Sequence, residues 1–212
     1  MNEPPESGSI EIQFPFSPVS LQASSSRRAA VRVQFQAHMP KTEFLLSGDV
    51  AIEIEWFLHE NERYESADAP DVDNILKLPL DALSGPAGIL INDNQVQSVQ
   101  CSWIDWLQTQ QQVNLRIRFS PDLFVSKRDL IFVDLGNSLC FPINKSLSPD
   151  GLRILLEALR LQVRTRQTLQ TLGMPSDQAR GVMPIQRLFH RSRLSAFEVL
   201  AIDEFARQLE GN

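Results

Sequence analysis

Cysteine is scarce in this chain. Cys101 and Cys140 are the only two in 212 residues, and they form no metal-binding or redox spacing. Such usage suits a reducing compartment and excludes a disulfide-built secreted scaffold. Histidine occurs three times, at His38, His59 and His190, too scattered for a zinc-type cluster. No apolar run approaches the length of a membrane span. The opening Met1-Asn2-Glu3-Pro4-Pro5-Glu6 has neither the basic head nor the apolar centre of a signal peptide. P-loop, Rossmann glycine pattern, nucleophile elbow and Cys/His dyad are all missing. These absences predict a cytoplasmic protein with no membrane partner, and they remove the common nucleotide-binding and covalent-catalysis classes.

Positive charge is sparse in the first half. Residues 1–100 hold 6 Lys/Arg against 15 Asp/Glu, whereas residues 101–212 hold 14 against 11. Within the latter, residues 151–193 carry 8 Arg and 2 acids. The net charge of −6 is awkward for a nucleic-acid binder, but this division gives an acidic half suited to a metal and a basic half suited to phosphates. An ordinary solvated surface would read the same way.

The most informative stretch runs from Asp71 to Val96, DVDNILKLPLDALSGPAGILINDNQV. Asp71 and Asp73 stand two residues apart, and Ala69-Pro70 biases the chain into them toward extended backbone. In an extended segment such residues point the same way. A strand returning through Ile89-Leu90-Ile91 could add Asp93. Three clustered carboxylates suit a hard cation such as Mg²⁺. Spacing alone leaves a second reading open: Asp73 as the N-cap of a helix from Asn74, and Asp93-Asn94 as turn chemistry. In that helix Ile75, Leu78, Ala82 and Leu83 form the packing stripe, while Asp73, Lys77 and Asp81 follow at four-residue steps. Pro79 removes one helical hydrogen bond and predicts a kink or a short, irregular helix.

The pattern D-V-D-N-I-L-K…L-D-A-L…N-D-N-Q-V resembles the RusA family of endodeoxyribonucleases, the Holliday junction resolvases of bacteria and their phages. The resemblance joins two motifs at the family's separation and covers roughly residues 10–120, most firmly 45–100. It implies that Asp71, Asp73 and Asp93 are metal-binding catalytic acids using Mg²⁺ or Mn²⁺, and that Lys77 is a catalytic-site lysine. It also implies a branched-DNA substrate, the four-way junction, and a homodimer. Asn92 stands where the family usually has the first acid of an Asp-Asp pair, if Gln95 anchors the alignment. A shift of one residue would instead make Asp93 that acid. The prolines after the first strand are kept, but Leu21 to Ser26 replace the basic residues usual there. A non-catalytic relative, a RusA-fold DNA-binding or interaction module, is the alternative reading.

The remaining chain fills in the architecture. Residues 1–9 read as a disordered lead, and Ile10 to Phe14 as a half-buried strand. Ser24 to Ser26 can cap a helix over about Arg27 to Ala37, with Arg27 and Arg28 in its first turn. Cations there are unfavourable for the helix dipole, and a DNA phosphate is one explanation. Strands are predicted over Val50 to Phe57, Val96 to Trp103 and Gln112 to Phe119. A hairpin follows with its turn at Asp134 to Asn137, then a helix opening at Ser148-Pro149 and ending at Gly173. Ser195 to Glu198 forms a capping box that predicts a last helix running to Leu209. The expected fold is α+β: a small mixed sheet backed by helices in residues 1–120, followed by a mostly helical extension in 121–212. On the extension Arg153, Arg160, Arg164, Arg187, Arg191 and Arg193 are the candidate phosphate contacts.

Overall fold

A computed structural model describes residues 1–16, 23–65, 72–108, 111–182 and 187–210. They fall into two compact units, Met1–Phe124 and Val125–Asn212.

The first unit is built on a four-stranded mixed sheet. In chain order its elements are β1 (Ser9–Phe14), α1 (Ser25–His38), β2 (Phe44–Leu46), β3 (Val50–His59), α2 (Glu60–Glu65), α3 (Val72–Ile75), α4 (Lys77–Leu83), β4 (Val96–Trp106) and β5 (Gln112–Phe119). The sheet order is β1-β5-β3-β4, with β1/β5 and β5/β3 antiparallel and β3/β4 parallel. Central β3 alternates strictly: Val50, Ile52, Ile54, Trp56 and Leu58 are buried and the residues between them are half-buried, as the two-residue period demands. Against that apolar face pack Val31 and Phe35 of α1 with Leu78, Ala82 and Leu83 of α4. Each of these side chains other than Ala82 contributes roughly 1.5–3 kcal/mol on full burial. Trp56 stacks on Trp103 with ring centroids 4.5 Å apart. The opposite face is ionic: Arg116 binds Glu11 (2.8 Å) and Glu53 (3.0 Å), and Arg118 binds the same Glu53 (3.0 Å).

Three expectations are corrected here. Residues 1–9 are not a disordered lead: the Met1 ammonium donates to the Lys41 carbonyl (2.8 Å), and the Met1 carbonyl accepts from Glu43 N–H (2.9 Å). The Ile89-Leu90-Ile91 run is no regular strand. It is buried and makes only isolated bridges, Leu90 to Leu46 and to Ser84, because the N–H groups of Ile89 and Leu90 both turn onto the Leu83 carbonyl (2.8 and 2.9 Å). Finally, Asp73 lies in the helical turn α3, so the extended-backbone argument for pairing it with Asp71 does not hold at Asp73. Asp71, the Ala69-Pro70 pair and the prolines after the first strand from Ser17 onward lie outside the described residues. The kink foreseen from Pro79 is displaced toward the N-terminus. The helix breaks at Leu76, between α3 and α4, because a proline ring crowds the carbonyl four residues earlier, which here is that of Ile75.

The second unit holds β7 (Leu130–Asp134), β8 (Leu139–Asn144), α5 (Pro149–Thr171), α6 (Ser176–Ala179), β9 (Phe189–His190), β10 (Val199–Ala201) and α7 (Ile202–Glu210), after a short β6 (Phe124–Ser126) at the boundary. The hairpin, the Ser148 cap and the Gly173 stop appear where the sequence put them. Ser148 Oγ accepts from Gly151 N–H (3.1 Å), and Gly173 takes a positive φ of 90°. Leu152, Leu156 and Leu159 of α5 pack on Ile131, Val133 and Ile143. The last helix starts six residues later than the capping box suggests. Val199–Ala201 is instead a strand parallel to β7. The Glu198 carbonyl accepts from Phe132 N–H (2.9 Å), and Phe197 packs its ring on Phe132 at 5.1 Å. Pairing with an open sheet edge overrides the local signal.

Two predictions come from this packing. A Cβ on Gly88 would lie 2.0 Å from the Leu83 carbonyl oxygen, so Gly88→Ala should destabilise the first unit by about 1–3 kcal/mol. Urea melts checking this should show a lower midpoint, and a midpoint within error of the parent would refute the close approach. Burial pushes the Cys101 thiol up to about 11, and burial, reinforced by Asp134 against Arg191, does the same to Cys140. Both thiols should therefore resist alkylation at pH 8 in the native protein and react in denaturant.

Candidate active site

Lys77 opens α4, and its position follows from the break at Leu76. Its ammonium donates to Asp81 Oδ1 at 2.5 Å, four residues along the same helix, and to Asp93 Oδ2 at 3.2 Å. Arg32 of α1 reaches Asp81 Oδ2 at 3.3 Å. Two carboxylates thus converge on one ammonium, with a guanidinium closing the far side. The side chains are part exposed, 49% for Lys77, 30% for Asp93 and 24% for Asp81. The hydrogen bond to Asp81 comes first in raising the Lys77 pKa above its ordinary value; partial burial opposes it, and Asp93 adds to the rise. A raised lysine pKa stabilises the fold throughout neutral pH, and that contribution fades only as pH climbs past the ordinary lysine value.

Asp93 is held by the turn around it. Asn92 caps the short 3₁₀ turn Asp93–Gln95: its Oδ1 accepts from Asn94 N–H (3.1 Å), and Gln95 Oε1 accepts from Asn92 N–H (3.0 Å). Gln95 is wholly buried, 0% exposed, and its Nε2 donates to the carbonyls of Leu46 (2.9 Å) and Gly48 (2.8 Å). One amide therefore ties the acid-bearing turn to the corner between β2 and β3. Asn92 is occupied as a cap, a role Asp fills equally well, and Asp93 is the residue that faces Lys77.

Of the expected site residues, Lys77 and Asp93 are brought together. Asp73 sits in the helical turn just before Lys77, and Asp71 is not described. Arg32 and Gln95 carry roles that the sequence did not single out. Arg32 pairs with an acid 49 positions away, beyond any spacing rule. Gln95 was legible in principle, since Asn92 to Gln95 has capping-box spacing. Arg27 is exposed and Arg28 half-buried in the first turn of α1. On the second unit the candidate arginines are drawn into local contacts: Arg153 to Asp150 (2.9 Å), Arg160 to Asp203 (2.5 Å) and Arg191 to Asp134 (3.2 Å). Arg164 donates to the Arg160 carbonyl (3.4 Å). Arg193 is exposed and Arg187 half-buried.

Among the described residues no three acids gather as a metal-binding cluster. Asp81 and Asp93 present carboxylate oxygens, the ligand type a hard cation takes, to the Lys77 ammonium. Residues 21–118 match the family model for endodeoxyribonuclease RusA. Over those residues, just under half of its length, the chain is similar to the RusA family and has a RusA-like domain. No curated protein matches it. The RusA-like domain thus contains the whole Lys77–Asp81–Asp93–Gln95 arrangement. Among the described residues no helix is long and apolar enough to cross a membrane.

Replacing Gln95 tests whether its amide sets the turn. In Gln95→Glu an acceptor replaces the donor that faces two carbonyls, so burial and carbonyl repulsion raise the folded-state carboxyl pKa above the unfolded value of about 4.3. The protonated acid still donates one hydrogen bond. Stability should therefore approach the parent's near pH 4 and fall as pH rises toward 7. A pH-independent difference in melting temperature would count against the buried hydrogen bonds.

Proposed function

We propose that the protein is a metal-dependent, structure-selective endodeoxyribonuclease that resolves four-way DNA junctions as a homodimer. The observation that carries this is the Lys77 ammonium shared by Asp81 and Asp93 on the two motif-bearing elements of the RusA-like domain. Asp71, Asp73 and Asp93 would hold Mg²⁺ or Mn²⁺. When bound, that ion supplies an activated water and offsets charge on the phosphorus oxygens. Lys77, kept protonated by its acidic neighbours, places positive charge beside the scissile phosphate. Arg27 and Arg28 supply phosphate contacts, and two symmetric sites answer the two-fold symmetry of a junction.

A synthetic four-way junction incubated with Mg²⁺ or Mn²⁺ should be nicked symmetrically, and EDTA should abolish the nicks. Asp93→Asn and Lys77→Met should each lose about 100-fold or more. Binding without cleavage under every metal condition would favour the non-catalytic DNA-binding module. Light scattering should give a dimer at micromolar concentration.

A melting scan isolates the metal site from catalysis. Mutual repulsion among converging acids destabilises the metal-free protein, so Asp71→Asn should melt higher than the parent without metal. It should also lose the upward shift that Mg²⁺ gives the parent. Equal Mg²⁺ shifts in the two proteins would sink the assignment of Asp71.

A further inference from the structure

The second unit contains a cleft that the nuclease site does not use. It measures about 160 Å³ and lies between the β7–β8 turn and the C-terminal half of α5, lined by Leu135, Asn137, Val163, Arg166, Gln167 and Gln170 among others. That is below the range of sites for drug-sized ligands, roughly 300–1,000 Å³, and suits a small group. Its one charged lining residue is Arg166; the other polar side chains are amides, and no carboxylate lines it.

Arg166 differs from the arginines around it. Arg153, Arg160 and Arg191 each have a carboxylate partner. Arg166 makes no ion pair among the described residues, and its Nε is buried without a hydrogen-bond partner. A buried guanidinium N–H left unmade is costly, and the amide oxygen of Gln162, one turn earlier on α5, is likewise buried without a partner; Arg166 also lines the cleft, where no carboxylate meets it. The nearest acid of the hairpin, Asp134, is already engaged by Gly136 N–H (2.9 Å) and by Arg191 (3.2 Å). The turn is fixed by three successive residues with positive φ, Gly136, Asn137 and Ser138, which sets the cleft wall that carries the Asn137 amide.

We propose that this cleft binds a single phosphate group through the Arg166 guanidinium, with the Asn137, Gln167 and Gln170 amides as further donors. A planar guanidinium fork matches phosphate oxygens in pairs, and amide N–H groups add neutral hydrogen bonds without attracting cations. The phosphate is that of a DNA strand or a free anion, two sources with the same chemistry. Only the DNA source rests on the proposed nuclease reading, and binding measured in EDTA keeps the two separable, since a protein that binds but does not cut fails only the nuclease reading.

The full chain is compared as parent, Arg166→Gln, Arg166→Lys and Arg153→Ala, the last a control whose guanidinium is already paired. Junction affinity is measured by fluorescence anisotropy in EDTA across a KCl series. Melting temperature is measured with inorganic phosphate against chloride at matched ionic strength. The expected result is that phosphate raises the melting temperature of the parent and of Arg153→Ala but not of Arg166→Gln. For a DNA phosphate, Arg166→Gln should also flatten the log K against log salt slope by about 0.9. Loss of the phosphate shift with an unchanged slope assigns the cleft to a free anion. Arg166→Lys keeps the charge without the fork and should retain a reduced shift; it carries the comparison if Arg166→Gln fails to fold. Equal phosphate shifts and equal slopes in the parent and the Arg166 variants would overturn the proposal.

Discussion

Much of the RusA-like domain hangs on a single buried amide. Gln95 closes the cap around Asp93 and at the same time satisfies the carbonyls of Leu46 and Gly48. Those carbonyls belong to the corner where β2 leads into β3, and in the interior they have no water to turn to. Satisfying them fixes the corner, and with it the start of the central strand. The same side chain fixes the turn from which β4 departs parallel to β3. Sheet topology and the position of the acid are therefore coupled through one residue, and neither can shift without leaving polar groups unmade.

The sequence carried most of the regular structure because the relevant forces are local. The alternation of Val50, Ile52, Ile54 and Trp56 fixed a strand and its buried face, and the Ser148-Pro149 start and the Gly173 stop bounded α5. It misled where distant contacts decide. Ser195 to Glu198 has good capping chemistry, yet the edge of β7 claimed the following residues as a strand. The Ile89 to Ile91 run has strand composition but folds back on the Leu83 carbonyl. At the candidate site the motif pointed to Lys77 and Asp93, and a turn built like a capping box joins them to the sheet. The Arg32–Asp81 contact, between helices far apart in sequence, left no trace in any spacing.

Charge is distributed by the same logic. Arginine is abundant in the second unit, but abundance is a poor guide to availability: among the described residues four of its guanidinium groups are held by carboxylates, pairs worth at most about 1 kcal/mol each at a surface. The sheet of the RusA-like domain shows the same economy, with Glu53 serving both Arg116 and Arg118. The distinctive basic residue is the one whose nitrogen is buried away from any acid.

The fold-back at Leu83 has a consequence for how such a chain can change over time. Lys77 and Asp93 are 16 positions apart, and nearly all of that interval is pinned. Gly88 N–H returns to the Gly85 carbonyl, Ile89 and Leu90 to Leu83, and Gly85 N–H to Leu90. Unlike surface loops that absorb extra residues at little cost, this one works as a ruler. Adding or removing a single residue would misalign the ammonium and the carboxylate it serves, so substitutions can accumulate inside the interval while its length is held.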